Sequence, residues 1–342
     1  MLTQCAKQSK SNVYFLTFYV NIFIYSPTDD GIGQEARMLA NPKASVWENS
    51  GKYQGDILLS DKQAEMMLQR YAQGRNAGQT WPNTRWPTNT IVYDFSRLFN
   101  AEQIEAIHAA MREIEANTCI RFRYRTPDDY DYVRIKGRRR SGCWATVGYG
   151  QETGIHYINL ERDPPGQGCF RHNVIIHEWL HVIGFFHMQS TYNRDDYVRI
   201  MWENIWPEME NNFDKEDSDT VHNMGLPYEY ASIMHYGRYA FSVDGTPTML
   251  PTRDDHGLMG QLEYVTDWDW LRVNRLYNCP GAWSAEINAE ELSKGVPNEH
   301  EYVPEDGAVA KDIQEEAAED MPQEEIFADE VSFVDDAPQD QY

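Results

Sequence analysis

The pattern of apolar and polar positions changes period several times along the chain. In CIRFRYR (119–125), Ile120, Phe122 and Tyr124 alternate with arginines, and YDYVRIKG (130–137) and GIHYINLE (154–161) repeat that period of two. Successive side chains of a strand point to opposite faces, so each stretch predicts a strand with one face on a core, antiparallel or at a sheet edge. An apolar run from Ile91 to Tyr93, after two Trp-Pro pairs, predicts a strand before them. Between these strands the period shifts to that of a helix. Asn100 stands as N-cap with Gln103 three residues on, and Ile104, Ile107, Met111 and Ile114 form one apolar stripe. A second helix is apolar on most sides through Val174, Ile175, Leu180 and Ile183, which predicts that it is buried. Past Asn211 both periods fade until 266–279, where Trp270, Val273 and Tyr277 share a face. The expected fold is α+β, with a twisted sheet and two long helices in the first half and a largely irregular second half ended by a closing helix. Asp61 to Ala72 also reads as helical.

Composition changes this picture mainly at the two ends. The chain has 342 residues, 41% of them hydrophobic, enough for a substantial core. Of its net charge of −24, residues 281–342 supply most, with 19 Asp or Glu against two Lys. That segment reads as an acidic disordered tail. So acidic a chain would repel phosphate backbones, and no nucleic-acid partner is expected. Val13 to Tyr25 is apolar, follows Lys7 and Lys10, and is too short for a stable membrane span. It suits the core of an atypical signal peptide over 1–26, hence secretion. Cys5 falls in that region, leaving Cys119, Cys143, Cys169 and Cys279, an even set compatible with two disulfides in any of three pairings.

The chemistry concentrates in HEWLHVIGFFHMQST (177–191). His177 and His181 are four apart, one turn of a helix, and can offer two nitrogens to one ion. Glu178 beside them is placed to take a proton from water activated by a zinc ion. Gly184 sits where a left-handed residue would end the helix and swing the chain back, returning His187 as a third ligand. Three ligands and an open fourth position mark a catalytic rather than a structural zinc. The order H-E-x-x-H-x-x-G-x-x-H is the metzincin signature, which predicts a tight turn carrying methionine; SIMHYG (232–237) supplies it with Met234.

Further motifs narrow the family. TCIRF (118–122), GCW (142–144), NVIIHEWLHVIGFFH (173–187), RDDYV (194–198), SIMHYG, MGQ (259–261) and VNRLYNC (273–279) together resemble the astacin family of secreted zinc endopeptidases, from about Tyr53 to Cys279. The resemblance implies a metzincin-type protease domain over 76–280 holding one zinc ion on His177, His181 and His187. It implies Glu178 as general base and later proton donor. Tyr236 would be the tyrosine that joins the metal at rest and hydrogen-bonds the oxyanion during attack. It also implies the pairings Cys119–Cys279 and Cys143–Cys169. YQGDI (53–57) resembles the family's pro-segment motif, so Asp56 would take the fourth zinc position and keep the enzyme latent, with 27–75 as pro-segment. An activating protease would then cut after a basic residue, with Arg75–Asn76 the expected bond and Arg70 or Arg85 as alternatives.

One departure stands out. Most family members carry a glutamate directly after the third histidine, tied through water to the new N-terminus; here Met188 stands there. Weak coupling between pro-segment removal and ordering of the cleft follows. The expected function is hydrolysis of extracellular proteins or peptides, with a catalytically silent binding protein as the alternative. Arg253 is the candidate basic wall of a specificity pocket.

Overall fold

A computed structural model of the chain describes residues 48, 50–66, 85–150, 154–218 and 221–284. The apolar segment before Tyr25, Cys5, the Arg70 and Arg75 activation bonds and the acidic tail beyond Ser284 lie outside these residues, whereas the first four residues of the expected tail, Gly281 to Ser284, form a turn in which Ala282 is buried against the core. Among the described residues, no helix is long and apolar enough to cross a membrane.

Six strands form the main sheet: β1 Ile57–Leu58, β2 Thr90–Phe95, β3 Arg121–Tyr124, β4 Tyr132–Lys136, β5 Trp144–Thr146 and β6 Ile155–Asn159. Their order is β1-β5-β6-β4-β2-β3. The pairs β6·β4, β4·β2 and β2·β3 are parallel, β5 runs antiparallel to β6, and β1 adds to β5 in parallel. The arginine-bearing strand β3 is an edge, as its alternation allows, but its partner is parallel. In β4, Val133 and Ile135 are buried, while Arg134 on the opposite face forks onto Asp94 with two contacts of 2.7 Å.

Two helices cover the inner face. The first, α1 (Ala101–Asn117), begins with a capping box between Asn100 and Gln103 and buries Ile107, Met111 and Ile114. The second, α2 (His172–Ile183), lies in the same core, with ten of its twelve residues buried. Gly184 ends it with φ 128°, its N–H reaching the carbonyls of Leu180 and His181.

The second half is sheet-poor. It contains short 3-10 turns, a small antiparallel pair of β7 (Val198–Ile200) and β8 (Met249–Pro251), and the closing helix α3 (Asp267–Leu276). A second apolar cluster there holds Met188, Phe213, Tyr228, Tyr236 and Phe241. Helix α3 opens on a capping box between Thr266 and Asp269 and buries Trp270 and Val273. Tyr277, just beyond it, donates its hydroxyl to the Ile183 carbonyl at 2.7 Å and ties α3 to the end of α2.

Disulfides join Cys119 to Cys279 and Cys143 to Cys169, the pairing the family resemblance implied. The first clamps the start of β3 to the end of α3 across 160 residues, worth about 4 to 5 kcal/mol by the chain-entropy argument. The second pins β5, the strand bordering the cleft, to the turn that leads into α2.

Candidate metal centre and cleft

Helix α2 supplies His177 and His181 from one face, one turn apart, with ring centroids 4.7 Å apart. The turn at Gly184 sends Phe185, Phe186 and His187 back beside the helix, so the third imidazole sits 4.8 Å from the ring of His181. Asp56, brought in just ahead of β1, completes the group. Ligand-capable atoms of Asp56, His177, His181 and His187 all lie within 4.8 Å of one another, and all four side chains are buried. The Asp56 carboxylate contacts the Nε2 atoms at 3.1 Å for His177, 3.3 Å for His181 and 3.2 Å for His187.

The outer nitrogens show how each ring is oriented. Nδ1 of His177 donates to the Ile233 carbonyl at 2.9 Å, Nδ1 of His181 to the Phe185 carbonyl at 2.7 Å, and Nδ1 of His187 to Oε1 of Gln54 at 3.1 Å. With the proton held on Nδ1, each neutral ring turns a lone pair on Nε2 inward. Burial lowers the pKa of His181, and that of His187 to about 4, against the pull of Asp56. Burial also raises Asp56, but imidazoles that carry a proton toward it, through the charge of His187 and His181 and hydrogen bonds from His177 and His181, outweigh burial and hold that carboxyl well below the usual carboxylate range.

This donor set fits a zinc ion. The Nε2 atoms of His177 and His181 are 3.1 Å apart, two acceptors facing each other, and Oδ1 of Asp56 has no hydrogen-bond partner among the described residues. A cation among them removes that conflict, and three imidazoles with one carboxylate oxygen are a zinc ligand set.

Glu178 is fully buried next to His177, and neither carboxylate oxygen has a hydrogen-bond partner among the described residues. Burial raises its pKa well above the usual carboxylate value, and the charge of Asp56 adds to this. Tyr236 is also buried, its ring 4.6 Å from that of His187. Its hydroxyl donates to the carbonyl of Gln54, so here the phenol is held by the segment covering the cleft rather than among the four ligand-capable side chains. Burial first, then Asp56 and Glu48, raises its pKa well above 10 and keeps it a donor.

Met234 lies 3% exposed in a tight turn closed by His235 N–H to the Ser232 carbonyl, and its own carbonyl accepts from Met188 N–H. The turn is held from below. Asp269 of α3 accepts from the Ser232 hydroxyl at 2.6 Å and from Ile233 N–H at 2.9 Å. The peptide units flanking Ile233 thus link α3 to His177, a connection that sequence reasoning missed. Its one signal was Asp269 at the N3 position of a capping box.

Glu48 and the segment from Ser50 to Leu59 fill the cleft. Besides Asp56, Glu48 accepts from Phe241 N–H, Tyr53 donates to Glu216, Gly55 N–H donates to Asn212 and Ala145 N–H donates to the Asp56 carbonyl. Gln54, Asn212 and Glu216 were not singled out from sequence; Gln54 alone sits within a motif. Arg253 does not join this group: its guanidinium lies 4.2 Å over the ring of Tyr197, beside the β7–β8 pair.

Comparison with known proteins agrees with this geometry. Residues 78–278 match the family model for astacin, a peptidase family. The zinc metalloproteinase nas-4 of Caenorhabditis elegans is 36% identical over 233 residues, covering 68% of this chain and 70% of its own length. The low choriolytic enzyme of Oryzias latipes is 40% identical over 200 residues, 57% of this chain and 69% of that enzyme. Two other nematode relatives are longer, and the chain spans 38% of one and 46% of the other. The solved structure of high choriolytic enzyme 1, a hatching enzyme zinc-protease of Oryzias latipes, superposes with a TM-score of 0.52. It is 36% identical and is covered completely by 60% of this chain. The chain belongs to the astacin family of zinc metalloendopeptidases.

Proposed function

We propose that the chain is a secreted zymogen that hydrolyses extracellular proteins or peptides after an activating protease removes residues 27–75 from a catalytic domain spanning 76–280. The observation that carries the reading is the convergence of Asp56, His177, His181 and His187 beside a buried Glu178 whose oxygens are unpartnered among the described residues. In this reading the three histidines hold zinc through Nε2, and Asp56 occupies the position that a substrate and water need. Bound there, zinc supplies Lewis acidity to a carbonyl oxygen and lowers the pKa of water to about 7.

The side chains do the rest. Glu178, its pKa raised by burial, accepts the proton of the attacking water at a carboxylate oxygen and returns it to the departing nitrogen. Tyr236, freed from the Gln54 carbonyl when the segment leaves, donates its hydroxyl to the oxygen on which negative charge develops. Met234 and the turn around it support His177 from below. The relatives named as hatching and choriolytic enzymes are consistent with action outside the cell. The silent binding protein is not favoured, because every group the chemistry needs is present.

The test compares the full chain and Glu178→Gln after proteolytic activation, each with zinc and with a chelator, on casein. Wild type should cleave only with zinc, and the variant should be slower by at least about 100-fold. Equal inertness of the two zinc-loaded proteins would sink the reading.

A further inference from the structure

The cleft grips its bound segment from two sides, and one grip comes from a side chain that the reaction above does not use. On one wall Ala145 N–H, in β5, donates to the Asp56 carbonyl at 2.9 Å. On the other, Oδ1 of Asn212 accepts Gly55 N–H at 3.1 Å. Gly55 directly precedes Asp56, whose carboxylate lies among the imidazoles, so the Asn212 oxygen acts within one residue of the reacting centre.

Asn212 is 3% exposed, and its carboxamide has one sensible orientation. Nδ2 donates to the Met209 carbonyl at 3.0 Å, which turns Oδ1 toward Gly55. Flipping the amide would set donor against donor at Gly55 and acceptor against acceptor at Met209. The surroundings leave the bound chain little room: a Cβ on Gly55 would lie 3.1 Å from the Phe241 ring and 3.3 Å from the Tyr236 hydroxyl.

Once the segment leaves, this oxygen opens to the cleft, and a substrate chain that fills the cleft again must supply a donor, since an acceptor buried without one is destabilising. Successive residues of an extended chain direct their polar groups to opposite edges, so a substrate running either way along β5 presents N–H groups to the Asn212 wall. We propose that Asn212 is a substrate-binding residue of the mature enzyme, its Oδ1 accepting a backbone N–H of the substrate within one residue of the scissile bond. This rests on the zinc-protease reading. Together with Ala145 on the facing wall, the contact fixes the plane of the scissile peptide, so that water deprotonated by Glu178 meets a carbonyl already aligned.

The test is a cycle between enzyme and substrate. The full chain, zinc-loaded and proteolytically activated, is assayed as wild type, Asn212→Leu and Asn212→Ala. The substrates are a peptide and three analogues carrying an ester oxygen in place of the N–H at the scissile bond or at the bond on either side. The variants should lose about tenfold in kcat/KM on the peptide. At one position the ester should cost wild type about tenfold more than it costs the variants, intrinsic ester reactivity cancelling in the ratio. If every ester affects wild type and variants alike, Asn212 does not touch the substrate and the proposal fails, however slow the variants are. It fails equally if the variants weaken inhibition by a peptide of residues 48–66 but turn over substrate as wild type does. The alanine variant keeps the cycle measurable if the leucine does not fold. Zinc-loaded wild type as inert as Glu178→Gln would overturn the protease reading itself, whereas hydrolysis without coupling overturns only the role of Asn212.

Discussion

Gly55 has φ +82°, a region that costs an ordinary side chain about 1 to 2 kcal/mol, and its missing Cβ leaves room for Phe241, the Glu48 backbone and Tyr236. Both constraints hold only while the segment lies in the cleft. Gly55→Ala should therefore weaken the latent arrangement without touching the mature enzyme, by about 2 kcal/mol or roughly 30-fold. The uncleaved full chain carrying it should hydrolyse a fluorogenic peptide faster than uncleaved wild type, and the two should match after activation. An unprocessed variant as silent as wild type would show that Gly55 is not needed for latency. This residue was legible in the sequence because YQGD is a contiguous motif. Gln54 and Asn212 were not, since their roles arise from contacts to His187 and Gly55, 133 and 157 residues away in the chain.

The elements with a clear period were legible: β4, β6, α1 and α3 stand where alternation or a helical stripe placed them, and the capping box expected at Asn100 and Gln103 formed. What periodicity could not convey was strand order and direction, which depend on how helices cover the sheet. Nor could it reveal β5, which borders the cleft, or β1, which the bound segment adds to it, strands of three and two residues too short to show any period. The short 3-10 turn Met188–Ser190 lies between these extremes. Met188 is 5% exposed, packed in the cluster with Phe213 and Tyr236, while its N–H is taken by the Met234 carbonyl. A thioether there offers an incoming amino terminus no carboxylate. Activated enzyme whose N-terminus is two residues longer should therefore keep its kcat/KM within about twofold, since no charge-assisted hydrogen bond of about 1.5 to 3 kcal/mol is lost. A tenfold loss in that comparison would mean the terminus is anchored elsewhere in the turn.

Across the molecule, the two halves are joined where the chemistry lies, and this ties global stability to protonation of the connecting turn. His235, in the turn that supports His177, is fully buried, its Nδ1–H donating to the Tyr236 carbonyl and its Nε2 accepting the Tyr228 hydroxyl at 2.6 Å. A second proton on Nε2 would break the latter bond inside an apolar cluster. Burial accordingly lowers its pKa from 6.5 to about 4, against weaker opposing pulls from the Tyr236 carbonyl and Asp255. Because the folded-state pKa is the depressed one, the unfolded chain binds the proton first as pH falls. The stability contributed is complete above pH 6.5 and declines toward pH 4, by about 1.4 kcal/mol per unit and about 3 kcal/mol in all. Denaturant melts of the zinc-free full chain, compared between wild type and His235→Asn, isolate this contribution from that of every group the two proteins share. The wild-type curve should fall toward the variant's by that amount between pH 6.5 and 4. Parallel curves would mean that His235 takes up its proton in the folded state as readily as in the unfolded chain, and that acid loosens the molecule through other groups.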